Sequence, residues 1–169
     1  MKRKNKETIS EKVLREQLLA LLRGGNAHMG FEDAVKAFPP EYFNRRAPHV
    51  AYTFWHLLEH IRIAQWDILQ FVRNPGHVSP DWPDDFWPPR DKRADARQWK
   101  KTLDSIRYDL AAVEEIIMAP DTDFFAPIPH AADYTVFREI LLVADHNAYH
   151  VAEFLTLRQV MNIKPPDSW

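Results

Sequence analysis

The chain of 169 residues contains no cysteine. That excludes a disulfide framework, a Cys-ligated zinc site, an iron–sulfur cluster and a cysteine nucleophile, and it fits a reducing compartment. Charge of one sign is also lacking. Lys and Arg number 22 against 24 Asp and Glu, a net charge of −2, so no broad nucleic-acid or anionic-membrane surface is expected. No long apolar run occurs. The start, MKRKNKETIS, is basic but leads into a stretch broken by Arg15, Glu16 and Gln17, which is neither a secretory leader nor a membrane span. Residues 1–8 read as a frayed tail and the expected address is the cytoplasm. No segment alternates with period two, so no sheet is expected. Neither internal repeats nor low-complexity tracts are present.

Apolar residues make up 46% and charged residues 27%, the balance of a soluble globular protein, and the length suits one domain over 1–169. Glycine is scarce, at 4, whereas proline reaches 13. Proline is excluded from helix interiors, because it lacks the N–H and clashes one turn back. The Pro-free stretches 49–74, 90–119 and 130–164, with the N-terminal stretch up to residue 38, are therefore where long helices fit. Helical periodicity fills them. Helices are predicted at about 10–23, with Ser10 as cap and Gly24–Gly25 as stop, at 53–73 behind Thr53, at 94–118, and at 136–161 behind Thr135. A short helix fits 31–37, before Pro39–Pro40. Four long amphipathic helices in this length predict an all-α four-helix bundle.

The connection at 74–93 is too long for a tight turn. Twenty residues reach roughly 60 Å, whereas the preceding helix is about 32 Å long. The loop can run back along the bundle and start the next helix parallel to the last. Its aromatic residues, Trp82, Phe86 and Trp87, either staple it to the bundle or wall a site.

Eight histidines are the informative residues, and two pairs stand at i, i+4: His56/His60 and His146/His150. A shuffled chain would show roughly 0.3 such pairs. At that spacing two imidazoles project from one helix face and can close on one metal ion. On the last helix, His146 and His150 fall within or at the edge of the stripe of Val136, Ile140, Val143, Phe154 and Leu157. Core histidines bonded to carboxylate or backbone and metal ligands are the two readings of that pattern. On the second long helix His60 lies about 40° from Ala64 and about 60° from Leu57, at the stripe's edge, while His56 lies about 40° further out. His60 is the inward candidate. His56 is read as a surface or interface residue, with support of a ligand as the alternative. His60, His146 and His150 together make a three-His set with open positions, the arrangement of a catalytic ion.

HNAYH has Asn147 where a helical zinc protease carries its general-base Glu, which disfavours that mechanism. Glu153 either orients a ligand or stays solvated, and Asp145 falls on the opposite side of the wheel.

Two segments, TFWHLLEHIRIAQWDIL at 53–69 and DHNAYHVAE at 145–153, resemble the DinB/YfiT-like family of bacterial metalloenzymes (not the DNA polymerase that shares the name). The first matches the family's Ser/Thr helix start with a His seven residues later and maps one metal ligand onto His60. The second matches its D-H-x-x-x-H segment and maps the others onto His146 and His150. The resemblance spans about residues 10–160. It implies a four-helix bundle with a long crossover, a divalent ion on three His, and frequent homodimers. It also implies relatives that act as thiol-dependent S-transferases or as a thiol-dependent isomerase.

An open three-His site suits Zn or Ni, with Fe and Mn as further options. It can deprotonate a thiol or a water. With no Cys in the chain, the thiol is an exogenous low-molecular-weight molecule attacking a small electrophilic substrate. A metal hydrolase and a non-enzymatic metal-binding or stress-related bundle are the other two function classes.

Overall fold

The structure is a computed structural model that describes residues 10–164. The expected tail at 1–8 and the prolines at 165–166 lie outside the described residues. The fold is mostly helical. Helices α1 (Glu11–Arg23), α2 (Phe31–Val35), α3 (Phe54–Arg73), α4 (Ala96–Met118) and α5 (Val136–Val160) follow in order, with strands β1 (Pro127–Ile128) and β2 (Ala131–Thr135) just before α5.

Each long helix opens on a side-chain cap that satisfies an orphan N–H of its first turn. Ser10 accepts from the Val13 amide, Asp95 from Gln98 and Thr135 from Arg138. Thr53 does the same for α3, accepting from the His56 amide at 3.2 Å while His56 Nδ1 accepts from the Thr53 amide at 3.2 Å. The stops are chemical too. α1 ends at Gly24, whose φ of 67° is the left-handed region that glycine enters without strain. α5 ends through Asn162 at φ 57°, which lets the Ile163 amide donate back to the Arg158 carbonyl at 2.8 Å.

The hairpin corrects the expectation of no sheet. β1 and β2 pair antiparallel, with Pro127 opposite Thr135 and Ile128 opposite Ala131 and an irregularity between them. One strand is two residues long and begins on proline, so it carries no alternation to detect.

Contacts across the long helices fix their directions. Trp55 Nε1 donates to Thr102 Oγ1 at 3.0 Å, Gln65 Nε2 donates to the Ile106 carbonyl at 2.7 Å, and Leu69 packs in one cluster with Val113 and Ile117. The numbers rise together, so α3 and α4 run parallel. Phe54 meets Phe154, His60 meets His150, and Gln65 meets Asn147, so α3 and α5 run antiparallel. α1 closes the arrangement against α4 and α5.

A parallel α3–α4 pair requires a return path, and the 74–93 loop supplies it. His77 bonds Asp67 at 2.7 Å, the Phe86 carbonyl reaches His60, Trp87 packs on Tyr52 at 4.9 Å, and the Arg90 carbonyl accepts from Arg46 at 3.2 Å. The loop thus descends along α3 from its C-terminal to its N-terminal end.

Two apolar clusters fill the interior. One gathers Phe38, Phe43, Phe54, Trp99 and Phe154, with Phe43 stacked on Trp99 at 3.9 Å. The other gathers Leu18, Leu22, Leu69, Ile117, Ile140 and Val143. Between them α3 and α5 contribute polar residues: Gln65, fully buried, accepts from Asn147 Nδ2 at 2.7 Å.

Arg158 is also fully buried, and its guanidinium binds carbonyls, not a carboxylate. It donates to Ala34 at 2.5 Å, Lys36 at 3.3 Å, Ile163 at 3.4 Å and Lys164 at 2.8 Å, tying α2 and the chain beyond α5 to the core. Charged donors of this kind contribute more than neutral ones. Arg158→Met is expected to destabilise the protein by about 3 kcal/mol, read as a lowered urea midpoint. A midpoint within error of wild type would show that these bonds contribute nothing net.

Candidate metal centre

His60 stands on α3, and His146 and His150 stand one turn apart on α5. The antiparallel crossing turns the three rings toward one another. His60 Nε2 lies 3.1 Å from His150 Nε2 and 3.2 Å from His146 Nε2. One ligand atom from each residue falls within 4.8 Å of the others, and His60 and His150 are buried while His146 is half-buried. Two imidazole nitrogens sharing an ion at about 2.05 Å stand about 2.9–3.3 Å apart at octahedral or tetrahedral angles. Both spacings fit, so the three could hold one metal ion.

The outer ring nitrogens decide what faces inward. His60 Nδ1 lies 2.9 Å from the Phe86 carbonyl, which can only accept, so the proton sits on Nδ1 and Nε2 presents a lone pair. His150 Nδ1 donates to Glu153 Oε2 at 2.7 Å, which likewise frees its Nε2. His60 Nε2 has one in-plane lone pair but two nitrogens within 3.2 Å. It can accept one hydrogen bond, so protons on the neighbouring rings leave at least one contact unsupported. A cation between the rings satisfies all three.

Burial sets the charge of the cluster. It pushes the His150 pKa down to about 3 and that of His146 to about 4, with the other histidines adding repulsion, and it lowers His60 as well. All three rings are neutral at neutral pH, the form that binds metal. Burial also raises the Glu153 carboxyl above its ordinary value. Tyr52 donates its hydroxyl to the other Glu153 oxygen, so the carboxylate is held from two sides.

The crossover loop builds one wall. Trp87 stacks on the His60 ring at 4.1 Å and 2°, and Trp82, 70% exposed, stands 6.4 Å from it. Tyr149, 69% exposed, meets His150 edge-on at 4.8 Å. The loop aromatics therefore do both things read from the sequence: Phe86 is buried as a staple and Trp87 walls the site. A cleft of about 780 Å³ shares Trp87 and Tyr52 with this centre but none of the three histidines.

The structure brings together His60, His146 and His150 as the sequence predicts. Glu153 orients His150 and is not simply solvated, and Asp145 is exposed. His56 departs from its reading as a surface or interface residue. It is 2% exposed, because the Thr53 capping box turns its ring inward and the returning loop covers it. It touches none of the three ligands through a hydrogen bond. The sequence reading missed Tyr52 and the Phe86 carbonyl; no signal marks a backbone acceptor in a loop. Asn147 Oδ1, buried beside the site, has no partner among the described residues.

Comparison with protein-family models, with curated proteins and with solved structures finds no match.

Elemental analysis of untagged protein is expected to give one divalent ion per chain, lost in His60→Ala, His146→Ala and His150→Ala and kept in His56→Ala. Glu153→Gln should weaken the ion about 10–100-fold. Metal-free protein carries a sign-specific pH dependence. The unfolded chain takes up protons on these histidines from about pH 6.5 downward, whereas the folded chain resists until about 4 and about 3. Stability is therefore complete above about 6.5 and falls through that window. His150→Gln should flatten the fall in the urea midpoint. An unchanged slope would show that the rings are not buried neutral.

Proposed function

We propose that the chain is a divalent-metal-dependent enzyme of the DinB/YfiT-like four-helix-bundle type, which activates an exogenous small thiol for transfer to an electrophilic substrate. The observation that carries this reading is the convergence of three histidine ring nitrogens with no carboxylate among the ligands and no cysteine in the chain. Three neutral ligands leave open positions and keep the net charge of an ion, the condition for acidifying whatever fills them. The parallel α3–α4 pair and the 74–93 return loop support the bundle assignment, and the segments 53–69 and 145–153 that suggested the family supply all three histidines.

Zn or Ni suits a set of three imidazoles. Bound there, such an ion would lower the pKa of a coordinated thiol into the neutral range.

The protein's own residues prepare that site. The Phe86 carbonyl and the Glu153 carboxylate fix the tautomers and directions of His60 and His150. Tyr52 holds Glu153 in place, so the orientation of His150 rests on a chain of two hydrogen bonds. Trp87 covers the His60 face and keeps water from it. Trp82 and Tyr149, standing exposed beside His60 and His150, offer apolar surface to an incoming electrophile.

The test is conjugation of cellular thiols to 1-chloro-2,4-dinitrobenzene by protein loaded with Zn or Ni. The expected result is a rate at least tenfold above buffer, abolished by chelation and by His146→Ala. Ester or phosphoester hydrolysis that needs no thiol would replace this reading with a hydrolase. Flat rates in both assays, with metal bound, would leave a metal-binding bundle without catalysis.

A further inference from the structure

The groove between the parallel helices α3 and α4 holds a buried carboxylate that no hydrogen bond of the fold satisfies. Asp109 is 6% exposed, and no described residue donates a hydrogen bond to it. Arg62 and Arg73 act on it through charge alone. Burial raises its pKa above the ordinary carboxylate value, so the charged form is poorly solvated. Its oxygens are nonetheless within reach. The sealed, partnerless side-chain atoms among the described residues are His56 Nε2 and Asn147 Oδ1, and neither Asp109 oxygen is one of them. Asp109 lines an open cleft of about 760 Å³, the volume of a small-molecule site. A buried carboxylate that faces such a space without a donor calls for donors from a ligand.

The rest of the cleft defines that ligand. Arg97, Lys101, Ser105 and Asp109 follow at four-residue intervals and form one stripe of α4, opposite Arg62 and Trp66 of α3. Glu59 neutralises Arg62 at 2.9 Å and Asp104 neutralises Lys100, whereas Arg73, Arg97 and Lys101 form no ion pair with a described residue. A simple cation on Asp109 would stand among those three charges, and a simple anion on them would face Asp109. A molecule with neutral N–H donors at one end and phosphates at the other meets both sets. Two carboxylate oxygens match two adjacent donors, the edge that guanine presents through N1–H and its 2-amino group. Adenine offers one donor beside an acceptor on that edge and does not match. Trp66 and Tyr108, both exposed in the same cleft, give a base surface to stack on. Lys101 stands eight residues from Asp109, about 12 Å of helical rise, the reach of a nucleoside diphosphate.

We propose that the α3–α4 groove binds a guanine nucleotide, its base edge on the Asp109 carboxylate, its ring against Trp66 and Tyr108, and its phosphates on Lys101 and Arg97. The site shares no residue with the three-histidine centre, so occupancy requires no ion.

Guanosine 5′-diphosphate (GDP) is titrated into full-length protein, as purified and after chelation, in magnesium-free buffer. Inosine diphosphate, which lacks the 2-amino group, ADP and inorganic pyrophosphate are the comparisons, and calorimetry and indole fluorescence are the readouts. Saturable binding of GDP at one site per chain is expected, with equal affinity in both protein forms. Inosine diphosphate and ADP should bind at least tenfold more weakly, because each leaves a carboxylate oxygen unmet. Asp109→Asn should abolish the preference for guanine and leave pyrophosphate binding unchanged or stronger, while Lys101→Ala should weaken GDP and pyrophosphate alike. Should Asp109→Asn fail to fold, the base series in the wild type decides alone. Equal affinity for every nucleotide and for pyrophosphate would mark a nonspecific cationic surface and overturn the proposal. Absence of binding, binding only with metal present, a guanine preference that survives in Asp109→Asn, or a dimer in sedimentation that excludes GDP would overturn it too. Failure of thiol transfer alone would leave it standing.

Discussion

His60 Nε2 carries one lone pair and faces two other imidazole nitrogens at hydrogen-bond distance. Much of the structure follows from making that crowding possible. The rings must come from helices that cross antiparallel, so that one residue of α3 meets two of α5 separated by a turn. The outer nitrogens of two of them, His60 and His150, are occupied, which holds those rings toward the cluster. One of those outer partners, the Phe86 carbonyl, belongs to a segment that must travel back along α3 to reach it. The long loop is therefore part of the site's chemistry as well as a consequence of parallel α3 and α4.

The location of the cluster explains how a polar group of this size is accommodated. Large apolar clusters occupy both ends of the helical assembly, one rich in stacked aromatics and one in aliphatic side chains. The histidines, Gln65 and Asn147 occupy the seam between them. Each cluster fixes one end of α3 and of α5. The ligands are thereby held from both sides by packing, while hydrogen bonds set only their final orientation. Arg158 and Arg15, both buried, perform a related task, and each gathers carbonyls from a segment distant in sequence.

The helices were legible because their ends are written in residue chemistry: Ser10, Thr53 and Thr135 cap, Gly24 stops, and proline keeps out of the interiors. The three ligands were legible because i, i+4 spacing and the apolar stripe both concern one helix at a time. Much of what escaped depends on two segments meeting. His56 looks outward on the wheel of α3, and only the returning loop makes it buried. Glu153 lies on a neighbouring face from His150 in projection, yet its side chain reaches back across one turn to the ring. The Phe86 carbonyl has no side-chain identity at all. The hairpin before α5 is too short to show a period.

The origin of the two kinds of contact around His60 has a further consequence. The ligands belong to helices whose neighbours are core residues, where a change in one side chain disturbs packing throughout. Trp82 belongs to an irregular segment fastened at a few points and is 70% exposed, so it can be exchanged at little cost to the core. Selection can therefore act on what the site admits separately from what it holds. Divergence among chains of this architecture should concentrate in the crossover, leaving the histidine-bearing turns of α3 and α5 as the slow-changing part.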